Sequence, residues 1–221
     1  MNRLAVFDCD GTLVDSGATI YAALGDAFAR NALEMPPASV ARRVIGLSLI
    51  EAMAELLPDA SAERHAALAE DYKQAFWTLR AAGKVEEPLF DGVLELLDAL
   101  EAEGWLLAVA TGKSDRGLRH CLESHGIHAR FMSLQTADRH PSKPHPSMVQ
   151  QAIADAGSSP ATTIVIGDTS FDMAMAAAAG AMPIGAAWGY HDRDELIEAG
   201  AIAVAEQPME ILELARNSAN G

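Results

Sequence analysis

Short apolar runs recur along the chain at Leu4–Phe7, Trp105–Ala110, Phe131–Gln135, Thr163–Ile166 and Met182–Gly185. Runs this short, rich in β-branched and aliphatic side chains, read as strands. Between most of them the spacing turns helical. Val93 to Glu103 runs into Gly104, Ser114 to Ser124 ends near Gly126, and Pro146 to Ala156 ends at Gly157. Glycine accepts the left-handed backbone that closes a helix, so each stretch reads as helix, stop, strand. The Ala-rich stretch from Ala174 to Ala181 fits a helix lying close on a sheet. Ile202–Ala205 adds a short strand before a closing helix from Pro208. Such alternation predicts an α/β fold, a Rossmann-like parallel sheet with helices on both faces.

One segment breaks the alternation. From Ser16 to Glu87 there is helix after helix and no buried strand. Apolar residues fall at helical spacing over Thr19–Leu33, and Pro36-Pro37 interrupts before Ser39, a candidate cap for a short helix. Ser48–Leu57 stops at Pro58. Ser61 opens a long helix with Leu68, Tyr72, Phe76 and Leu79 on one side, ended by Gly83. The expected division is a core of residues 1–15 and 88–221, with an all-helical cap of 16–87 inserted after the first strand.

Bulk composition narrows the functional classes. The chain has 221 residues, half of them hydrophobic, which is enough for a substantial core. A net charge of −15 repels nucleic acid and anionic membranes, so neither is an expected partner. It also repels anionic substrates, so any phosphate site needs cations close by. The two cysteines, Cys9 and Cys121, have no metal-ligand spacing and fit a reducing, cytoplasmic setting. No secretion leader and no apolar stretch long enough to span a membrane stand out. The polar tail Asn217–Gly221 reads as a frayed end.

The chemistry sits at the ends of the predicted strands. The first ends in Asp8-Cys9-Asp10-Gly11-Thr12, two carboxylates that repel unless a cation or a shared proton holds them. The fourth ends in Gly167-Asp168-Thr169-Ser170-Phe171-Asp172. Carboxylates converging from two strand ends suit one hard cation. Between them lie Ala110-Thr111-Gly112-Lys113-Ser114, where a strand meets a helix start and backbone N–H groups can cradle phosphate, and Ser142-Lys143-Pro144, a cation before another helix.

In this order the four motifs resemble those of the haloacid dehalogenase superfamily, in its phosphatase branch, over nearly the whole chain. The runs Pro88–Gly92, Ala110–Ser114 and Trp188-Gly189-Tyr190 look like the phosphoglycolate-phosphatase-like subfamily. The resemblance implies a magnesium-dependent phosphatase acting on a small phosphorylated metabolite, with 2-phosphoglycolate the expected substrate. It implies Asp8 as the nucleophile that becomes an aspartyl-phosphate, and Asp10 as the acid and base. It assigns magnesium to Asp8, the backbone carbonyl of Asp10, Asp168 and Asp172. Thr111 and Gly112 would hold phosphate oxygens, and Lys143 would neutralise charge. Asp10 favours ester hydrolysis or a phosphomutase over dehalogenation. Leu47 stands near where sugar-phosphate mutases of the superfamily carry Arg, which lowers the mutase alternative. A catalytically idle binding protein would have no need of the whole set.

Further residues carry two readings each. Lys113 either lines the site or is an exposed helix-start lysine. Arg43, in Arg42-Arg43-Val44-Ile45-Gly46, either meets a substrate carboxylate or phosphate or is a solvated helix end. Asp15 and Ser16 are expected to cap the next helix. Trp188 and Tyr190 are expected to pack at the domain edge or touch substrate. His140, His145 and His191 are expected in loops, Cys9 and the methionines in the core. Oligomeric state is left open.

Overall fold

The structure, a computed structural model, describes residues 2–218, with side chains to residue 216. Strands β1 (Arg3–Phe7), β2 (Trp105–Thr111), β3 (Phe131–Thr136), β4 (Thr163–Gly167), β5 (Met182–Ala186) and β6 (Ala203–Ala205) form one parallel sheet in the order β3-β2-β1-β4-β5-β6. The strand order reverses between β1 and β4, the place where open α/β sheets form a ligand crevice at the strand C-termini.

Side chains alternate across the sheet. Along β1, Ala5 and Phe7 enter one apolar cluster with Leu96, Leu107 and Ile166, while Leu4 and Val6 enter the other with Val149 and Met175. Both faces are therefore buried, which explains the uninterrupted apolar runs. The covering helices are α5 (Val93–Ala102), α6 (Asp115–Ser124), α7 (Ser147–Ala156), α8 (Ser170–Ala178), α9 (Arg193–Glu198) and α10 (Glu210–Ser218). The short α9 escaped the sequence reading because six residues carry little periodicity. Of the tail expected to fray, Asn217 and Ser218 continue α10, and residues 219–221 lie outside the described residues.

Between β1 and α5 come only helices: α1 (Gly17–Arg30), α2 (Ala38–Arg42), α3 (Leu49–Leu56) and α4 (Ala62–Ala81). They enclose their own apolar cluster, which includes Leu24, Phe28, Met53, Leu68 and Tyr72. Ser61 caps α4 by accepting from the Arg64 N–H at 3.3 Å. Ser39 does not cap α2; it lies inside the helix, whose N-cap is Pro37. The chain leaves and re-enters the core through adjacent connectors. The Asp15 N–H donates to the Pro88 carbonyl at 2.8 Å and the Phe90 N–H to the Leu13 carbonyl at 3.1 Å. This pairing seats the helical insert over the mouth of the sheet.

Candidate active site

Strand register brings the two acidic segments together. Phe7 pairs with Ile166, and the Asp8 N–H donates to the Ile166 carbonyl at 2.9 Å, so Asp8 emerges beside Gly167-Asp168. Glycines make the close approach possible. A Cβ on Gly11 would stand 2.1 Å from Asp168 Oδ2, on Gly189 2.1 Å from Asp168 Cβ, and on Gly167 2.3 Å from Asp172 Cγ. Side chains at these positions would occupy the space the carboxylates need.

Asp8, Asp168 and Asp172 are all buried, each with a carboxylate oxygen within 4.8 Å of the others. Lys143 lies among them with no exposed side-chain surface, its Nζ 2.9 Å from Asp8 Oδ1 and 2.6 Å from Asp172 Oδ1. Asp172 Oδ2 completes a capping box at the start of α8 with Thr169, at 2.6 Å from its Oγ1. Asp168 accepts from Thr12 Oγ1 at 2.7 Å and from the Tyr190 N–H at 2.9 Å. Asp8 Oδ1 also accepts from the Cys9 N–H at 2.6 Å, whereas Asp8 Oδ2 is buried with no hydrogen-bond partner.

Three carboxylates against one ammonium leave an excess of two negative charges. Burial and that excess act together on the acids. Burial pushes the Asp8 carboxyl up to about 7, with Lys143 pulling it down and Asp172 and Asp10 adding to the rise. Burial, then Asp8 and Asp172, hold Asp168 well above the carboxylate range. Burial opposes the charge on Lys143, yet Asp172 and Asp8 outweigh it and raise its pKa. A divalent cation with oxygen preference fits this donor set, since three converging carboxylates offer it hard ligands and it would neutralise their excess charge.

Asp10 is turned away from the cluster. Its Oδ1 accepts from the Ser16 hydroxyl and lies 2.9 Å from Lys113 Nζ. Ser16 was expected to cap α1, but its side chain does not; it holds Asp10, while its N–H donates to the Tyr190 hydroxyl at 3.1 Å. Lys113 is nearly buried, bridging Asp10 and Glu87 Oε1 at 2.7 Å. Burial disfavours its charge, but Asp10 and Glu87 outweigh it and hold the ammonium above its usual range.

Thr111 ends β2, fully buried, and its Oγ1 accepts from the Lys113 N–H at 3.2 Å. Capping of α6 belongs to Ser114, which accepts from the Gly117 N–H at 3.1 Å. Gly112 faces the insert, and a Cβ there would stand 2.4 Å from the Leu47 carbonyl oxygen and 2.6 Å from that of Gly46. The Gly46 turn continues over Asp8; a Cβ on Gly46 would lie 3.9 Å from Asp8 Oδ2.

Arg43 is not brought to these residues. It pairs with Glu195 at 2.6 Å on the outer side, its side chain 56% exposed, and its carbonyl accepts from His191 Nε2 at 3.2 Å. The Ser16–Asp10 bond, the Thr12 and Tyr190 contacts to Asp168 and the Glu87–Lys113 pair escaped the sequence reading. Each joins residues far apart in the chain or an unremarkable polar residue whose partner only folding supplies. Trp188 packs against the core and donates from Nε1 to the Thr12 carbonyl at 3.1 Å. Cys9 and Cys121 are buried free thiols with their sulfurs 3.9 Å apart. No helix among the described residues is long and apolar enough to cross a membrane.

Known proteins are similar to this chain in sequence and in fold. A curated relative from Dickeya dadantii, named probable phosphatase IndB, is 36% identical over 199 residues, covering 89% of this chain and 86% of the relative. A phosphoglycolate phosphatase from Xylella fastidiosa is 31% identical over 194 residues, covering 87% of this chain and 83% of that one. A solved hydrolase from Pseudomonas syringae superposes with a TM-score of 0.85 at 26% identity, over 98% of this chain and 99% of its own. The family model for haloacid dehalogenase-like hydrolases matches residues 5–186, and the chain belongs to that family, in its phosphoglycolate-phosphatase-like branch.

Proposed function

We propose that this phosphoric monoester hydrolase works through an aspartyl-phosphate on Asp8 and depends on magnesium. The observation that carries the reading is the state of Asp8. One oxygen is held by Lys143 and the Cys9 N–H, and the other is buried, unpartnered and covered by the Gly46 turn. A carboxylate fixed at one oxygen and free at the other is oriented for attack at phosphorus.

Asp8 Oδ2 bonds to phosphorus as the ester oxygen departs, and Asp10 gives that oxygen a proton. Ser16 and Lys113 hold Asp10 in place for this transfer. Asp10 then takes a proton from water as the water oxygen attacks the aspartyl-phosphate, releasing phosphate and restoring Asp8. Lys143 would offset charge on the phosphoryl oxygens, to which the Gly112 N–H after Thr111 would donate. Asp8, Asp168 and Asp172, with the Asp10 carbonyl, would hold magnesium, which when bound supplies positive charge to the transferring group. The helical insert acts as a cap that excludes water while Gly46 and Leu47 rest on Gly112.

The expected phosphoglycolate specificity rested on an arginine-bearing turn of the insert. Arg43 sits on the outer side, engaged with Glu195, so that argument loses its residue. The relatives' printed name remains the support for that substrate.

The test is phosphate release from small phosphomonoesters with magnesium and with chelator, using Asp8→Asn as comparison. We expect release that requires magnesium and is abolished in Asp8→Asn, with the melting temperature showing an intact fold. Retention of most activity by Asp8→Asn would sink the covalent route.

A further inference from the structure

A cavity of about 690 Å³ opens between the insert and the core, and Asp10, Gly112 and Lys113 are part of its lining. It adjoins the acid that serves the leaving oxygen, so it is where the alcohol part of the ester must sit. Its volume is that of pockets which enclose drug-sized ligands. A two-carbon acid would leave most of it as water against apolar walls.

Those walls come from the insert: Ile20, Leu24, Ile45, Leu47, Tyr72 and Phe76. The charges facing the cavity are largely matched. Lys113 is shared by Asp10 and Glu87, Arg80 pairs with Glu87 at 3.2 Å, and Lys73 pairs with Glu70 at 3.3 Å. Asp138 accepts from the Asp115 N–H at 2.8 Å. Arg116 has no carboxylate partner among the described residues; it lies over the Trp77 ring, 3.3 Å from its centroid, on an exposed stretch of α6. To reach Lys113, the lining cation beside Asp10, an incoming carboxylate would have to displace Glu87 or Asp10, whereas an uncharged alcohol displaces neither.

We propose that the preferred ester carries an uncharged alcohol with an aromatic or branched apolar body, seated against Phe76, Tyr72 and Leu24. A two-carbon acid is the poorer substrate. This rests on the phosphatase reading and adds the leaving-group class to it. Size, wall chemistry and the largely matched charges act in the same direction, because an apolar body gains from leaving water while a second anion finds the lining cations other than Arg116 already paired.

The experiment compares kcat/KM for magnesium-dependent phosphate release from 2-phenylethyl phosphate, ethyl phosphate and phosphoglycolate, all esters of primary alcohols. The phenylethyl ester should exceed each of the others by about 50-fold, the factor for removing roughly 100 Å² of apolar surface from water. Phe76→Ala should shrink the phenylethyl-to-ethyl ratio about tenfold. Phe76→Leu, which keeps more of the insert's packing, should shrink it less, with both variants checked by thermal melting. Equal or higher kcat/KM for phosphoglycolate would overturn the inference and leave the phosphatase reading standing. An unchanged ratio in both variants would overturn the proposed seat. Absence of magnesium-dependent release from all three esters would sink the phosphatase reading, and the inference with it.

Discussion

Gly112→Ala perturbs the contact between insert and core without removing any polar group, because alanine keeps the backbone N–H. The new methyl would lie 2.4 Å from the Leu47 carbonyl oxygen and 2.6 Å from that of Gly46. Carbon–oxygen contacts settle near ~3.3 Å, so the two backbones must part by about 0.9 Å. Both colliding atoms are main chain, so no rotamer change relieves them. The insert must ride up, carrying Gly46 away from Asp8 Oδ2. Displacements of about 1 Å at a reacting centre cost about 100-fold. If the insert resisted, the same overlap would cost about 1–3 kcal/mol of stability. We expect kcat/KM to fall about 30- to 100-fold, with only a small drop in melting temperature. Gly25→Ala is the control: it sits inside α1 with nothing within 4 Å of its Cβ, and should stabilise by about 0.5–1 kcal/mol. Steady-state kinetics with thermal melts on both variants decide the matter. Wild-type kcat/KM in Gly112→Ala, with stability unchanged, would refute the claim that the insert rests on this glycine during turnover.

Other residues allow equally direct tests. Lys143→Met strips the acidic cluster of its buried cation and should cost about 3–5 kcal/mol in urea unfolding; a loss under about 1 kcal/mol would mean the carboxylates are neutralised by other means. Arg43→Ala should change kcat/KM by less than about fivefold, since its ion pair is exposed and outside the cavity; a larger loss would restore Arg43 to the substrate. His140 bridges Gln135 and Ser147 at 2.8 and 2.7 Å, and burial followed by Arg139 lowers its pKa below the ordinary value of 6.5. A depressed folded pKa means the unfolded chain takes the proton first, so this contribution is present above pH 6.5 and is lost as pH falls through the folded pKa. Wild type should therefore lose more stability between pH 7.5 and 5.5 than His140→Gln, by urea midpoints, and equal losses would contradict the bridge.

Local pattern alone determined the sheet and the order of the chemistry. Buried parallel strands are continuous apolar runs, helices end at glycine, and Asp8, Thr111, Lys143 and Asp168 each follow a strand or precede a helix. Because parallel strands present their C-termini on one edge, reading those positions was enough to expect convergence. The insert was legible for the same reason, as four helices where a βα unit should have resumed. Tertiary structure alone decided the partners. Ser16 looked like a cap, yet its hydroxyl holds Asp10 and its N–H meets the hydroxyl of Tyr190, 174 residues away. Lys113 and Arg43 were both lysine or arginine at helix ends, indistinguishable by local signal. One meets Asp10 and Glu87 in a nearly buried site, and the other meets Glu195 in solvent. Which charge is sequestered depends on the docking of insert against core, a long-range event that neither periodicity nor spacing encodes. The cavity between insert and core is likewise a product of that docking, and so is the chemistry of its lining.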